Sequence, residues 1–291
     1  MKCNMCPRKC GVDRTVSNGY CGVADKVKIA KAYLHMWEEP VITGENGSGT
    51  IFFSGCNLKC VYCQNFDISH ECKGVEITIS ELSEIFKKLE SMGASNINLV
   101  TPSHYARQIR EALDIYRPNI PIVYNSSGYD SLEELELLKD YIDIYLVDFK
   151  YWDEDLSVRL SKARDYRNVA IQSILKMKEY KPINIYDGDI LKSGVIIRHM
   201  ILPNHIEDSK KILEWISKNV SNPCVSLMGQ YTPMYKASEY KDINRKLKPI
   251  EYKIVEKYML NLGIKDGFTQ DLTSAVEEYV PDFKCDILID K

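Results

Sequence analysis

Cys56, Cys60 and Cys63 stand at C-x3-C-x2-C spacing within Gly55-Cys56-Asn57-Leu58-Lys59-Cys60-Val61-Tyr62-Cys63-Gln64-Asn65. Three thiols this close share one tight loop, and the fold must present that loop where it can be used. The apolar run Thr50-Ile51-Phe52-Phe53 just before it reads as a short buried strand, and Ser54-Gly55 turns the chain out of that strand. Three thiolates can hold three irons of a cubane cluster and leave the fourth iron open, as a catalytic zinc keeps an open position. An open iron can bind a substrate or cosubstrate and pass it an electron. Structural zinc loops more often use C-x2-C pairs and four ligands, so the spacing favours the cluster.

A second cysteine group lies upstream. Cys3, Cys6 and Cys10 stand at C-x2-C-x3-C spacing, and Cys21 follows in Gly19-Tyr20-Cys21-Gly22. Four thiolates close a metal site completely, and either a zinc ion or a second iron–sulfur cluster satisfies the count. The chain has 291 residues, ten cysteines, a net charge of −3, and no apolar run long enough for a membrane span. The balance gives no case for nucleic acid or an anionic membrane as partner. No hydrophobic signal region opens the sequence, so a cytosolic, thiol-reducing location is expected, where dense cysteines mean metal rather than disulfides. Residues 1–31 carry seven Lys or Arg against Asp13 and Asp25, a face suited to offsetting thiolate charge or docking an acidic electron donor.

From residue 50 onward, strand-like runs (50–54, 96–101, 120–124, 142–148, 194–201, 223–228) alternate with helical ones (80–92, 103–116, 131–140, 153–180 with breaks, 206–219, 248–262). Ser80 and Ser131 suit helix N-caps. Val27–Tyr33 alternates like a half-exposed strand, and 181–193 reads as a surface connection. Six β/α units in a row mean a parallel sheet with right-handed crossovers. The expected organisation is a cysteine-rich extension over 1–35 and an α/β domain over 36–291. Functional groups in such folds collect at the C-terminal ends of the strands. There the sequence places Thr101, Asn125-Ser126, Asp148-Phe149-Lys150 and Arg198, polar and charged residues that a parallel-sheet core does not need for packing. Cys72, Cys224 and Cys285 lack partners at ligand spacing and read as buried. The tyrosines of 229–247 are candidates for a substrate mouth.

The cysteine triplet, with the aromatic Tyr62 just before its last member, resembles the radical S-adenosylmethionine superfamily. The flanks Glu38-Glu39-Pro40, Gly47-Ser48-Gly49-Thr50 and Cys63-Gln64-Asn65 look more narrowly like the pyruvate formate-lyase activating-enzyme-like branch, which activates glycyl radical enzymes. The resemblance runs over nearly the whole chain. It implies a partial (β/α)6 TIM-type barrel, a [4Fe-4S] cluster on Cys56, Cys60 and Cys63, and S-adenosylmethionine held beside Tyr62 by Thr101, Asn125, Ser126, Asp148, Lys150 and Arg198. Asp148-Phe149-Lys150 matches the Asp-x-Lys of the activases. Two motifs depart: Asn125-Ser126-Ser127-Gly128 stands for Asp-Thr-Asn-Gly, and Val100-Thr101-Pro102-Ser103 for the Gly-Gly-Glu-Pro that binds the cosubstrate amine. Thr101 Oγ1 or a backbone carbonyl would then take over that contact.

The implied chemistry is reductive cleavage of S-adenosylmethionine to a 5′-deoxyadenosyl radical that abstracts hydrogen from a substrate. That substrate is a glycyl residue of a glycyl radical enzyme or, alternatively, another protein, a peptide or a small molecule. Flavodoxin or ferredoxin would supply the electron. A reading from a different class is a zinc-dependent binding module, with both cysteine groups holding zinc.

Overall fold

The computed structural model describes residues 2–269, 283 and 287–289. Its strands are β1 (Val27–His35), β2 (Ser48–Phe53), β3 (Val75–Ile77), β4 (Ile97–Val100), β5 (Ile122–Ser126), β6 (Ile144–Asp148), β7 (Ile185–Asp187), β8 (Ile190–Met200), β9 (Cys224–Met228) and β10 (Asp266–Thr269). The helices are α1 (Pro40–Thr43), α2 (Phe66–Ser69), α3 (Ile79–Ser91), α4 (Ala106–Ile115), α5 (Leu132–Leu138), α6 (Glu154–Ser161), α7 (Tyr166–Tyr180), α8 (Ile206–Asn219) and α9 (Pro249–Asn261).

The main sheet runs β10-β9-β8-β6-β5-β4-β2-β1-β3. All pairings from β2 to β10 are parallel, whereas β1 and β3 add antiparallel to one edge. The six expected β/α strands are β2, β4, β5, β6, β8 and β9, and β10 extends their order by one more parallel strand. The boundary expected at residue 35 coincides with the end of β1, which is itself hydrogen-bonded into this sheet.

Strand alternation sorts the side chains into two faces. Ile122, Tyr124, Tyr145, Val147, Val195, Ile197 and Val225 join the large core beneath the helices. Val123, Ile144, Leu146, Ile196 and Cys224 point the other way and pack around Ile42 of α1. Ile42 is fully buried, which contributes about 2 kcal/mol, and α1 thereby plugs the end of the sheet where the strands begin. A single cavity is lined by His35 of β1 and Phe52 of β2 at one end of the sheet and by Phe268 of β10 near the other. The sheet therefore curls round a common interior as an open barrel.

Two local expectations change. Thr78, not Ser80, caps α3: its hydroxyl accepts from Glu81 N–H while the Glu81 carboxylate accepts from Thr78 N–H at 2.7 Å, a reciprocal capping box. The stretch 181–193 is not an irregular connection but the hairpin of β7 and the start of β8. Gly188 turns it at φ +57, a conformation the flanking aspartates do not supply as cheaply. Ser131 caps α5 as expected, accepting from Glu134 N–H.

Candidate active site

The cysteine loop is pinned from several sides. At Gly55 φ is +85, and a Cβ there would lie 2.8 Å from the Cys21 carbonyl oxygen and 3.0 Å from Val23. Only glycine lets the loop approach the N-terminal segment this closely, and Cys56 N–H then donates to the Cys21 carbonyl at 3.1 Å. The glycines upstream pack elsewhere: Gly47 and Gly49 abut Met36 and Asn96. Asn57 Nδ2 donates to the Tyr129 carbonyl at 2.6 Å, and Val61 N–H to the Leu160 carbonyl at 2.9 Å.

Each thiol has a polar neighbour. Leu58 N–H points at Cys56 Sγ (3.4 Å), Ser161 Oγ donates to Cys60 Sγ (2.9 Å), and Ser69 Oγ lies 3.1 Å from Cys63 Sγ. Tyr62 OH, Tyr151 OH and Ser161 Oγ form a hydroxyl chain, 2.5 and 2.6 Å per link, that ends on Cys60. Burial pushes the Cys56 thiol up to about 12 and that of Cys63 up to about 11. Cys60 is raised too, with Lys150 opposing the effect of burial. Cys60 is buried and Cys56 and Cys63 are half-buried, and a metal centre on the loop would supply the positive charge that takes the place of their protons. Among the described residues no three His, Cys, Asp or Glu side chains converge as a single metal ion would need.

Opposite the loop lies a charged cradle. Register makes Asp148 at the end of β6 and Arg198 of β8 direct neighbours. Arg198 Nε donates to Asp148 Oδ1 at 2.8 Å, and Lys150 Nζ to Asp148 Oδ2 at 2.5 Å. Arg198 also donates to Asn125 Oδ1 at 2.6 Å and to Glu38 Oε2 at 3.3 Å. Burial would raise the Asp148 carboxyl, but Arg198 and Lys150 outweigh it and hold it below the ordinary carboxylate range. Burial likewise opposes the charge on Lys150 and Arg198, and Asp148 dominates in restoring it in both. Cys60, Tyr62, Cys63, Asn125, Asp148, Lys150 and Arg198 all line the same cavity of about 1000 Å³.

Two sequence candidates lie elsewhere. Ser126 follows Asn125 on β5 and so points to the opposite face, where its hydroxyl donates to Asp130 Oδ2 at 2.6 Å. Thr101 leaves β4 at φ +60, a strained value for a β-branched residue, and is not among the cavity-lining residues. The tyrosines of 229–247 do not line the cavity either: Tyr231 packs edge-on to Tyr62 and Tyr235 stacks on Phe66, bracing the cysteine loop from outside. Cys72 and Cys224 are buried as expected, and Cys285 lies outside the described residues.

Glu38 and Glu39 were missed as site residues. Glu38 Oε1 accepts from Asn98 Nδ2 (3.0 Å) and Asn125 Nδ2 (3.2 Å), so with Arg198 it ties β4, β5 and β8 together from inside. Glu39 lines the cavity, is buried, and has no hydrogen bond at Oε2. Burial pushes its carboxyl up, with Arg198 opposing. The adjacent acids before Pro40 were the available signal, but nothing in a stretch without strand or helix periodicity says that they turn inward.

The N-terminal cysteines are brought into one neighbourhood. Cys21 Sγ and Cys10 Sγ lie 3.3 and 3.6 Å from where a Gly19 Cβ would be. The thiols of Cys3 and Cys10 are within hydrogen-bonding reach of each other, and Cys6 lies within electrostatic reach of Cys21 and Cys3. Two of the basic residues turn inward here: Arg8 Nε donates to the Asn57 carbonyl (2.7 Å), and Arg14 NH1 to that of His104 (2.5 Å).

Residues 50–216, which hold this part of the parallel open barrel and its cysteine loop, match the Radical SAM superfamily. The chain belongs to that superfamily. It is 36% identical over 276 residues to an uncharacterized protein of Methanocaldococcus jannaschii, covering 89% of this chain and 76% of the relative. It is 26% identical over 237 residues to the pyruvate formate-lyase-activating enzyme of Clostridium pasteurianum, covering 76% and 94%. Among solved structures, Streptococcus suis SuiB bound to S-adenosylmethionine superposes with a TM-score of 0.50 at 14% identity, over 77% of this chain and 50% of SuiB. The chain thus spans half the length of that structure, and the likeness is one of fold. Membership implies an enzyme that uses a [4Fe-4S] cluster, S-adenosylmethionine and an electron donor. No helix among the described residues is long and apolar enough to cross a membrane.

Proposed function

We propose that Cys56, Cys60 and Cys63 hold the [4Fe-4S] cluster and that Asn125, Asp148, Lys150 and Arg198 cradle S-adenosylmethionine beside Tyr62. When bound, these groups supply one-electron cleavage of the sulfonium and a 5′-deoxyadenosyl radical that abstracts hydrogen from the substrate. The chain's own residues do the rest. Lys150 and Arg198 offer cations to a carboxylate, and Asp148 holds both in place and stays ionised. The hydroxyl chain from Tyr62 to Ser161 fixes the Cys60 sulfur by a hydrogen bond. Tyr62, Tyr231 and Phe66 wall the loop from water.

The observation that carries this reading is the meeting of Cys60, Cys63 and the Asp148–Lys150–Arg198 cluster in one cavity, with Cys56 on the same loop. The substrate we favour is a glycyl Cα–H of a glycyl radical enzyme, supported by likeness to the Clostridium pasteurianum activating enzyme. We further propose that Cys3, Cys6, Cys10 and Cys21, in the cysteine-rich extension over 1–35, hold a second iron–sulfur cluster rather than zinc, since their side chains do not converge as a single ion would need. Flavodoxin or ferredoxin would donate the electron in the cytoplasm.

Anaerobic protein should be brown with about four irons or more per chain. With dithionite and S-adenosylmethionine it should release 5′-deoxyadenosine and methionine, and Cys60→Ala should abolish that release. A colourless, zinc-loaded protein that never cleaves the cosubstrate would overturn the reading in favour of a zinc module. Candidate glycyl radical enzymes, added next, should acquire a glycyl radical signal in electron spin resonance.

A further inference from the structure

The cavity does not end at the Asp148–Arg198 layer. It continues past Glu38 and Glu39 to Thr43 and Gly44 beside α1, with Phe268 and Thr269 of β10 opposite. Lys150 and Asp148 lie within electrostatic reach of Cys60, whereas Glu39 is the N-cap residue of α1, whose Ile42 plugs the barrel from below. The interior is therefore layered, with the cysteine loop above, the Lys150–Asp148–Arg198 cluster between, and an acidic floor beneath. About 1000 Å³ is the upper end of the roughly 300–1,000 Å³ of ligand pockets, enough for a cosubstrate and a second molecule.

The floor has more acceptors than donors. Three carboxyl groups (Glu38, Glu39, Asp148) face two cations (Arg198, Lys150). Asp148 takes Lys150 Nζ and Arg198 Nε, and Glu38 and Asn125 take the two remaining guanidinium nitrogens. Glu39 Oε2 is left 4.0 Å from Arg198 NH1, too far for a hydrogen bond. Asn98 Oδ1 and Ser226 Oγ are also buried without a close hydrogen bond, although the Ser226 hydroxyl lies near enough to the Glu39 carboxyl to favour its charge. Native interiors rarely leave such atoms unsatisfied, and a buried carboxylate lacking a donor is the costliest case.

We propose that Glu39, with Ser226, forms a subsite for a cationic nitrogen of the substrate, a protonated amine or a guanidinium. A group of that kind brings several N–H donors and the missing positive charge together. The subsite deepens the reading above, since it assigns a substrate class to the same cavity. The cation would be the anchor, and the hydrogen to be abstracted would lie above it, toward the cysteine loop. A free amine and the side chain of a Lys- or Arg-containing peptide present the same chemistry, and the test separates them.

The test is calorimetry on anaerobically reconstituted full-length protein with saturating S-adenosylmethionine. Probes are cadaverine, agmatine, and capped tetrapeptides containing Lys or Arg, against pentane-1,5-diol and a citrulline peptide as neutral counterparts. Cationic probes should bind at least tenfold tighter than their counterparts, the free amines if the substrate is small, the peptides if it is a protein. Glu39→Gln should cost the cationic probe at least ten times more affinity than it costs S-adenosylmethionine. The subsite is overturned if charge makes no difference to binding. It is equally overturned if Glu39→Gln weakens S-adenosylmethionine as much as the amine, because the floor then belongs to the cosubstrate. Should circular dichroism show Glu39→Gln misfolded, Ser226→Ala carries the same comparison. Repeating the titrations without S-adenosylmethionine tests the floor even where cosubstrate binding fails, which separates this inference from the reading beneath it.

Discussion

At Asp148 one carboxylate serves two cations. Lys150 Nζ and Arg198 Nε bond to separate oxygens of it, and all three side chains are at most one-fifth exposed. Removing a partner from such a cluster strands charge in a dry site. Asp148→Asn should therefore destabilise the protein by about 3 kcal/mol in chemical denaturation. Lys150 suffers more than Arg198, which keeps Glu38 and Asn125. The buried histidines carry a second prediction. His199, whose ring nitrogens engage the Phe149 carbonyl and Ser209 Oγ, is pushed down to about 4 by burial. His35 falls to about 4 and His104 to about 3 for the same reason. Each is neutral when folded and takes up a proton on unfolding. Their contribution is full above the ordinary histidine value and is lost as pH falls through about 4. His199→Gln should flatten the acid limb of stability by about 1.4 kcal/mol per pH unit, read from urea melts between about pH 4 and 6.5.

Among the elements, the end of β5 and the start of α5 carry the densest polar packing. Tyr124 OH donates to Glu134 Oε1 at 2.6 Å and lies 3.1 Å from Asp130 Oδ1, while Ser103 and Ser126 donate to Asp130 at 2.6 Å each. Burial and the neighbouring Asp130 push the Glu134 carboxyl well above its usual range, so the folded protein keeps its proton. That stability is full at low pH and is lost as pH rises through the folded value. Glu134→Gln imitates the protonated acid. Relative to the unmodified protein it should gain stability as pH rises, in urea melts compared at about pH 5 and 9. How far these elements were legible follows from their chemistry. Apolar runs ending in Asn125, Asp148 and Arg198 announced strands and site together, because charge at the end of a buried strand has few other uses. Strict alternation puts Ser126 outside once Asn125 points inside. Thr101 and Glu38 were beyond it: a left-handed turn at Thr101 and an inward turn at Glu38 are set by neighbours distant in sequence. The capping box at Thr78 is written in the sequence as Thr-x-x-Glu, with Ser80 as a competing cap two residues on.

For the molecule as a whole, the order of β/α units was readable because each repeats one period change, from two to 3.6. The attachment of the N-terminal segment was not. Its fixtures are single long-range bonds: Arg8 NH1 to the Lys162 carbonyl at 2.5 Å, Arg8 Nε to that of Asn57, and the Cys21 carbonyl to Cys56 N–H. Arg8 also stacks on Tyr20, 4.2 Å from its ring centre. Arg8→Ala should cost about 2 kcal/mol, the loss of charge-assisted hydrogen bonds, in chemical denaturation. Arg8 meets a carbonyl 154 positions further along the chain. During synthesis, then, Arg8 cannot complete its contacts until 154 further residues have been added. The support that Arg8 lends to Asn57, next to Cys56, is complete only after that wait.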